Sequence, residues 1–245
     1  MRGAVTSLWR HPIKSHGREQ LSSVTLIPGQ TMPGDRVWAV AHEASKADGS
    51  EWVSCANFSR VAKAPELMAM TAQLNGDQVT LMHPKRPDLT FAPDTQTQLF
   101  LDWVKPLMPE NRAASARILR VPGRGMTDSD FPSVTLCNAA SHRAVEAQMG
   151  QDLSISRWRG NLWFEGLPEW VEFDWMGRDV QIGDVILRVR ERTDRCAATT
   201  TNPETGVRDA DTLAALQTWG HKDFSVRAEV IQGGDIRIGD EVTTL

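Results

Sequence analysis

Hydrophobic and polar residues alternate in short runs along most of this chain, and the runs are too brief for long helices. Ala4 to Trp9 and Val24 to Ile27 read as strands, and Val37 to Val40 follows a Gly34-Asp35 turn. Leu67 to Leu74 and Val79 to His83 flank Asn75-Gly76-Asp77, which predicts a hairpin because Asn-Gly supplies the positive φ angles of a type I′ turn. Helical spacing shows in three places. Leu99, Phe100, Trp103 and Val104 follow a cap at Asp94 and stop at Pro106, while Val145 and Met149 follow a cap at Asn138 or Ser141 and stop at Gly150. Leu213, Leu216 and Trp219 follow a cap at Asp211 and stop at Gly220. Ile182-Gly183-Asp184-Val185-Ile186 is echoed by Ile238-Gly239-Asp240-Glu241-Val242, each Gly-Asp reading as a tight turn into a strand. Phe224 to Ile231, Gly233-Gly234 and Ile236 to Ile238 predict a closing hairpin. Many short strands with few helices predict a mixed α/β, β-rich fold with a barrel-like body. A β-rich region over 1–93 is expected to precede a second domain over 94–245.

Composition narrows the classes. At 245 residues and 40% hydrophobic content the chain can bury a sizeable core. Thirty-one acidic against 27 basic residues leave a net charge of −4, which gives no whole-molecule attraction to nucleic acid. No run approaches the roughly 18 apolar residues of a membrane helix, and the first residues lack an apolar signal core, so a cytoplasmic protein is expected. Three widely spaced cysteines, Cys55, Cys137 and Cys196, argue against a disulfide framework and against a four-cysteine cluster. Cys55 and Cys137 lie in apolar neighbourhoods and read as packing thiols. The six histidines show no metal spacing and read as surface or hydrogen-bonded structural residues. Pro122 to Met126 could cradle a phosphate, but the preferred reading is a glycine-rich surface loop leading to Asp128 and Asp130.

Four separated segments carry the candidate chemistry: His11-Pro12-Ile13-Lys14-Ser15, Gly34-Asp35-Arg36-Val37-Trp38, Arg157-Trp158-Arg159-Gly160-Asn161, and the loop from Arg192 to Gly206 that contains Asp194, Arg195 and Cys196. Singly, the plainer reading is favoured for each: Lys14 and Arg36 as solvated strand-end charges, Arg157 and Arg159 as an alternating outer face. Together they bring cations, an amide and hydroxyls to strand ends beside one thiolate candidate. That set suits a flat, polar anion carrying a phosphate and a soft metal, because Arg and Lys neutralise phosphate and thiolate is a soft ligand.

All four segments resemble the MOSC family (molybdenum-cofactor sulfurase C-terminal domain), including its amidoxime-reducing molybdoenzymes. The P-x-K-S, D-R-x-W and R-x-R-x-N motifs and a cysteine loop ending in N-P-E-T-G occur in this order, and the resemblance runs the length of the chain. It implies a MOSC β-barrel-like domain packed with a β-rich N-terminal domain. It also implies that Lys14, Ser15, Arg36, Arg159 and Asn161 hold a molybdenum cofactor in its molybdopterin form. Cys196 would then ligate the metal as the catalytic residue, with Asp194 and Arg195 shaping its loop. The implied activity is reduction of N-hydroxylated compounds (amidoximes, hydroxylamines, N-hydroxylated bases) with electrons from a separate haem, flavin or iron–sulfur protein. Two other readings fit the same residues: a sulfur carrier using a Cys196 persulfide, and a non-catalytic cofactor-binding module. Where relatives carry T-x-R-x-x-P-x-L this chain reads Ser54 to Arg60, and Arg227 stands where some relatives have an aromatic residue.

Overall fold

The computed structural model describes residues 2–245. Its largest element is a closed seven-stranded barrel. The strands follow the order Leu162–Glu165, Val134–Asn138, Asp223–Gln232, Val185–Asp194, Asp179–Ile182, Glu241–Thr244 and Gly3–Arg10, and the last pairs back onto the first. Alternation explains the interior: Val185, Leu187 and Val189 point inward from one strand, Val226, Ala228 and Val230 from the next. With Val5, Leu8, Leu136, Leu162 and Phe164 they fill the barrel, each large side chain contributing about 1.5–3 kcal/mol on burial. Gly183, at φ 57°, turns the tight hairpin that pairs Ile182 with Val185.

The described residues form three α-helices: α1 (Thr97–Val104), α2 (Ala139–Met149) and α3 (Thr212–Gln217). Val134–Asn138 and Leu162–Glu165 run parallel, which requires a crossover, and α2 lies within it. The Asn138 side chain caps α2 by accepting from the Ala140 N–H at 2.9 Å, and Gly150 ends it at φ 60°. Asp211 caps α3 as the sequence predicts.

A second core lies beside the barrel. The three-stranded sheet Thr71–Asn75, Gln78–His83 and Arg86–Phe91 and the pair Ala39–His42 with Ser115–Leu119 enclose it, and α1 covers it with Phe100, Trp103 and Val104. The cut expected between residues 93 and 94 therefore does not separate the cores. Gly3–Arg10 closes the barrel, where an unpaired edge would otherwise remain, and α1 with Ser115–Leu119 completes the other body.

Local differences have local causes. Leu67 lies in a 3-10 turn, Pro65–Ala69, begun by its proline, so the strand starts at Thr71. In the hairpin Gly76 alone takes a positive φ (61°), and Asn75 stays in the strand opposite Gln78. Gln96, not Asp94, precedes α1, because the Asp94 carboxylate accepts from the Trp38 indole N–H at 2.9 Å. Gly234–Arg237 pairs with Ser23–Leu26 instead of with the strand before it. No helix among the described residues is long and apolar enough to cross a membrane.

Candidate functional site

The barrel strand Gly3–Arg10 hands the chain to the seam between the two cores, and the seam is locked at once. The His11 N–H donates to Asp35 Oδ1 at 2.7 Å, the His11 ring lies 3.2 Å from the same oxygen, and the Arg36 N–H donates to the His11 carbonyl at 2.7 Å. Burial pushes His11 down to about 3, with Arg159 and Arg36 adding to the effect, so the ring is neutral. Burial alone would raise Asp35, but the Arg36 guanidinium and the His11 donors hold its carboxyl well below the usual range. This clasp puts Lys14, Ser15 and Arg36 on one wall.

That wall faces a cavity of about 260 Å³ between the cores. Its lining holds seven cations, Lys14, Arg36, Arg60, Arg157, Arg159, Arg195 and Arg227, against two carboxylates, Asp128 and Asp194. Lys14 donates to Asp128 Oδ1 at 2.5 Å and to the Met126 carbonyl at 2.6 Å. Arg36 contacts Asp35 and donates to the Arg159 carbonyl at 2.8 Å. The Arg157 side chain is 2% exposed and grips Asp209 through Nη2 at 2.6 Å, yet its Nε and Nη1 have no acceptor among the described residues. Arg159 donates to the Gly17 carbonyl at 3.2 Å and leaves Nη1 unpaired, and Thr127 Oγ1 is likewise unpartnered. Burial, then Arg36 and Arg18, lower Arg159 to about 9. Buried donors without acceptors are rare and costly in folded proteins, and here three residues on one cavity share the condition.

The backbone tells the same story. Five non-glycine residues among those described have left-handed φ, and Ser15 (65°), Arg36 (51°) and Arg159 (49°) all line this cavity. Such conformations cost of order 1–3 kcal/mol each and concentrate at ligand sites.

Val185–Asp194 delivers the cysteine loop. Arg195 is fixed by donating to the Phe224 carbonyl (2.7 and 3.0 Å), the Trp158 carbonyl (2.8 Å) and Ser225 Oγ (2.6 Å). Cys196 follows, exposed on the cavity lining, ahead of the 3-10 turn Ala197–Thr200. Asn202 then builds the turn, its Oδ1 accepting from Glu204 N–H at 2.8 Å and its Nδ2 donating to Asp209 at 2.7 Å. Gly206, at φ 70°, lies so close to Glu66 that a Cβ there would fall 2.8 Å from the Glu66 Cα.

Of the residues singled out from sequence, Lys14, Ser15, Arg36, Arg159, Asp194, Arg195 and Cys196 meet at this cavity. Asn161 does not line it. Its amide donates to the Trp9 carbonyl at 3.1 Å and accepts from the Thr135 N–H at 3.1 Å, pinning three strand ends together. Cys137 is a packing thiol, buried and pushed up to about 12 by burial. Cys55 is not: it lines the cavity beside Arg60. The Pro122 to Met126 stretch is exposed only at Pro122 and Gly123. From Gly125 it wedges under Asp35, and the next residues, Thr127 and Asp128, form cavity wall. Asp128 pairs with Lys14 across 114 positions, a contact that no local pattern announces. Arg157 and Arg159, which alternation alone reads as an outer face, are inward cations, and Arg227 lines the cavity as well.

Residues 126–243 match the MOSC domain, and residues 2–115 match the MOSC N-terminal beta barrel domain. The chain belongs to the MOSC family and carries both domains, with strand Gly3–Arg10 lent to the barrel of the second. Among individual proteins it is similar to the mitochondrial amidoxime-reducing component 1 of Xenopus laevis, 29% identical over 126 residues. That match covers 46% of this chain and 36% of the relative, so this chain matches about a third of the relative's length. The crystal structure of the YUAD protein from Bacillus subtilis shares the fold, with a TM-score of 0.52 over 100% of this chain and 96% of that one, at 12% identity. YiiM from Geobacillus stearothermophilus is a looser likeness, at TM-score 0.36 and 18% identity over 46% of this chain and 53% of its own.

Proposed function

We propose that the cavity holds a molybdenum cofactor of the molybdopterin form and that the chain reduces N-hydroxylated compounds with electrons from a separate protein. The observation that carries this reading is the lining itself: seven cations against two carboxylates, unpaired buried N–H groups on Arg157 and Arg159, and one exposed thiol on the same wall. Lys14, Arg36, Arg157 and Arg227 already hold carboxylates, so the cationic surplus rests on Arg60, Arg159 and Arg195. That surplus with the unpaired N–H groups calls for an anion, and a thiolate calls for a soft metal at one end of it.

Lys14, Ser15, Arg36 and Arg159 would hold the phosphate and pterin, and Cys196 would ligate the metal. Arg195 holds the Cys196 loop through four hydrogen bonds, and Asp194 flanks the thiol with Arg227 3.5 Å from its carboxylate. Asn161 acts one step removed, keeping the strand ends behind Arg159 in register. When bound, the cofactor supplies the two-electron chemistry that turns an N–OH group into N–H and water. The protein's part is to neutralise the ligand's charge with groups already oriented, so that little rearrangement accompanies binding.

The test is turnover of an aryl amidoxime by protein made in a cofactor-competent host, with a reduced viologen dye as donor. The reading expects dye-driven turnover that Cys196→Ala abolishes and Cys137→Ala retains, and no turnover with NADH alone. Cyanide-labile sulfur without metal would instead favour the sulfur-carrier alternative.

A further inference from the structure

Arg60 is unlike the other cations of the cavity. Lys14, Arg36, Arg157 and Arg227 each hold a carboxylate, and Arg159 and Arg195 hold backbone carbonyls. Among the described residues the Arg60 side chain donates to a sulfur, Cys55 Sγ at 3.1 Å, and holds no carboxylate. A thiol is a weak acceptor, so most of the guanidinium's hydrogen-bonding capacity is left over.

The placement of Arg60 is firm. Just before it, the Ser59 N–H donates to the Val40 carbonyl at 2.8 Å and Ser59 Oγ meets Ser115 Oγ at 2.8 Å. Just after it, the chain is clasped to the cysteine loop: Arg208 donates to the Ala62 carbonyl at 2.7 Å, Gly206 abuts Glu66, and Ala198 packs on the core that contains Val61 and Ala64. Ala198 is two residues from Cys196. Arg60 and Cys55 thus form the part of the first-half wall that borders the Cys196 loop. Arg36 and Arg159 are joined to each other through the Arg36–Arg159 contact, and Cys55 also lies close enough to Lys14 to act on its charge.

We infer that Arg60, backed by Cys55, is a specificity residue that receives an anionic substituent of the substrate, so that N-hydroxylated compounds bearing a carboxylate are preferred to neutral ones. This rests on the N-reductase reading and names the substrate class for it. A charge-assisted bond from a preoriented guanidinium to a carboxylate is of the strong kind, and in a partly enclosed cavity it is weakly screened by water.

Two measurements on wild type, Arg60→Gln and Arg60→Lys test it. The first needs no turnover: Cys55 is alkylated with iodoacetate or with iodoacetamide and followed by peptide mass spectrometry. Any change in thiolate fraction affects both reagents alike, so their rate ratio reads anion recruitment at Arg60. The ratio should fall at least about fivefold in Arg60→Gln and be largely kept in Arg60→Lys, as expected for loss of a charged partner. The second compares an aryl amidoxime with its para-carboxylate analogue. Arg60→Gln should lower kcat/KM at least about tenfold more for the carboxylate than for the neutral parent, chiefly through KM. Equal alkylation ratios in wild type and Arg60→Gln, equal losses on both amidoximes, or loss of pterin from Arg60→Gln would each overturn the assignment. Failure of the N-reductase reading looks different: wild type reduces neither amidoxime while the alkylation ratio stays intact.

Discussion

The packing on the outer side of the barrel and the cavity wall meet in one short peptide, Arg157 to Asn161, and they are built in opposite ways. On the barrel side most polar groups are matched, although Trp170, packed on the barrel core, leaves its indole N–H without a partner among the described residues. Asn161 bonds to Trp9 and Thr135, and the buried Glu172 carboxyl, raised by burial, accepts from Asn138 at 2.9 Å and Ser141 at 2.7 Å. Trp158 stacks on Phe224 with ring centroids 3.9 Å apart. On the cavity side Arg157 and Arg159 keep unpaired N–H groups, and Arg159 takes a left-handed backbone. The barrel therefore supplies stability, whereas the cavity retains charge repulsion and strain that an added anion would relieve.

The largest effect of any single substitution should come from the barrel. Phe164→Ala removes a fully buried ring that packs on Trp175 at a centroid distance of 5.2 Å, and denaturant unfolding should show a loss of about 3–5 kcal/mol. A loss under about 1 kcal/mol would mean that the barrel can collapse around the missing ring, and the contrast between the two regions would weaken.

The histidines at the seam come next. Burial lowers His11 to about 3 and His16 to about 4, so both stay neutral in the fold while the unfolded chain protonates them from about pH 6.5 downward. The unfolded state then binds more protons, and stability should fall as pH drops from about 6.5 toward 4, by up to ~1.4 kcal/mol per pH unit per histidine. Asp35 acts lower still: its depressed carboxylate adds stability above its ordinary range, and that contribution is lost only as pH falls through the folded value. Urea midpoints between pH 7 and 4 read the slope, and His16→Gln should flatten it. An unchanged slope would show that His16 is protonated within the fold.

A smaller effect separates contact from backbone. A Cβ at Gly160 would fall 2.1 Å from Cys137 Sγ, so Gly160→Ala should cost about 1–3 kcal/mol by overpacking. Adding Cys137→Ala makes room and should restore most of it in thermal unfolding. No recovery would place the cost in the backbone.

The smallest stability change belongs to the cavity. Arg159→Gln removes a buried cation crowded by Arg36 and Arg18, and the unfolding free energy of cofactor-free protein should move by no more than about 1 kcal/mol. Pterin retention, read by fluorescence after extraction, should drop sharply in the same variant. A large destabilisation would make Arg159 a structural cation like Arg195.

These contrasts also mark what the sequence makes legible. Strands that alternate over most of their length, such as Val185–Asp194 and Asp223–Gln232, and caps with a local partner, such as Asn138, can be read directly because their causes are short-range. Arg86–Phe91 cannot, since Pro87 and Asp88 interrupt its alternation. At the site, motif-bearing residues such as Lys14, Arg36 and Cys196 are visible as chemistry, and they do converge. Asn161 shares a motif with Arg159 but faces the other way, because Gly160 packs against Cys137 and turns the next amide to the strand ends. Asp128 reaches the cavity by pairing with Lys14 114 positions away, and Cys55 and Arg60 are held there through Ser59, whose N–H donates to the distant Val40 carbonyl; a single sequence holds no periodic signal for either.

The central claim, that the cationic cavity holds a polyanionic cofactor with its metal at Cys196, is tested most directly by molybdenum and pterin content per chain. Wild type, Cys196→Ala and Arg36→Glu should be purified side by side from a cofactor-competent host. The account predicts about one molybdenum and one pterin per chain in wild type, retained pterin without N-reductase activity in Cys196→Ala, and neither pterin nor metal in a folded Arg36→Glu, where a charge-assisted contact has become a repulsion. Folded wild type free of pterin, or Arg36→Glu with undiminished pterin, would contradict it.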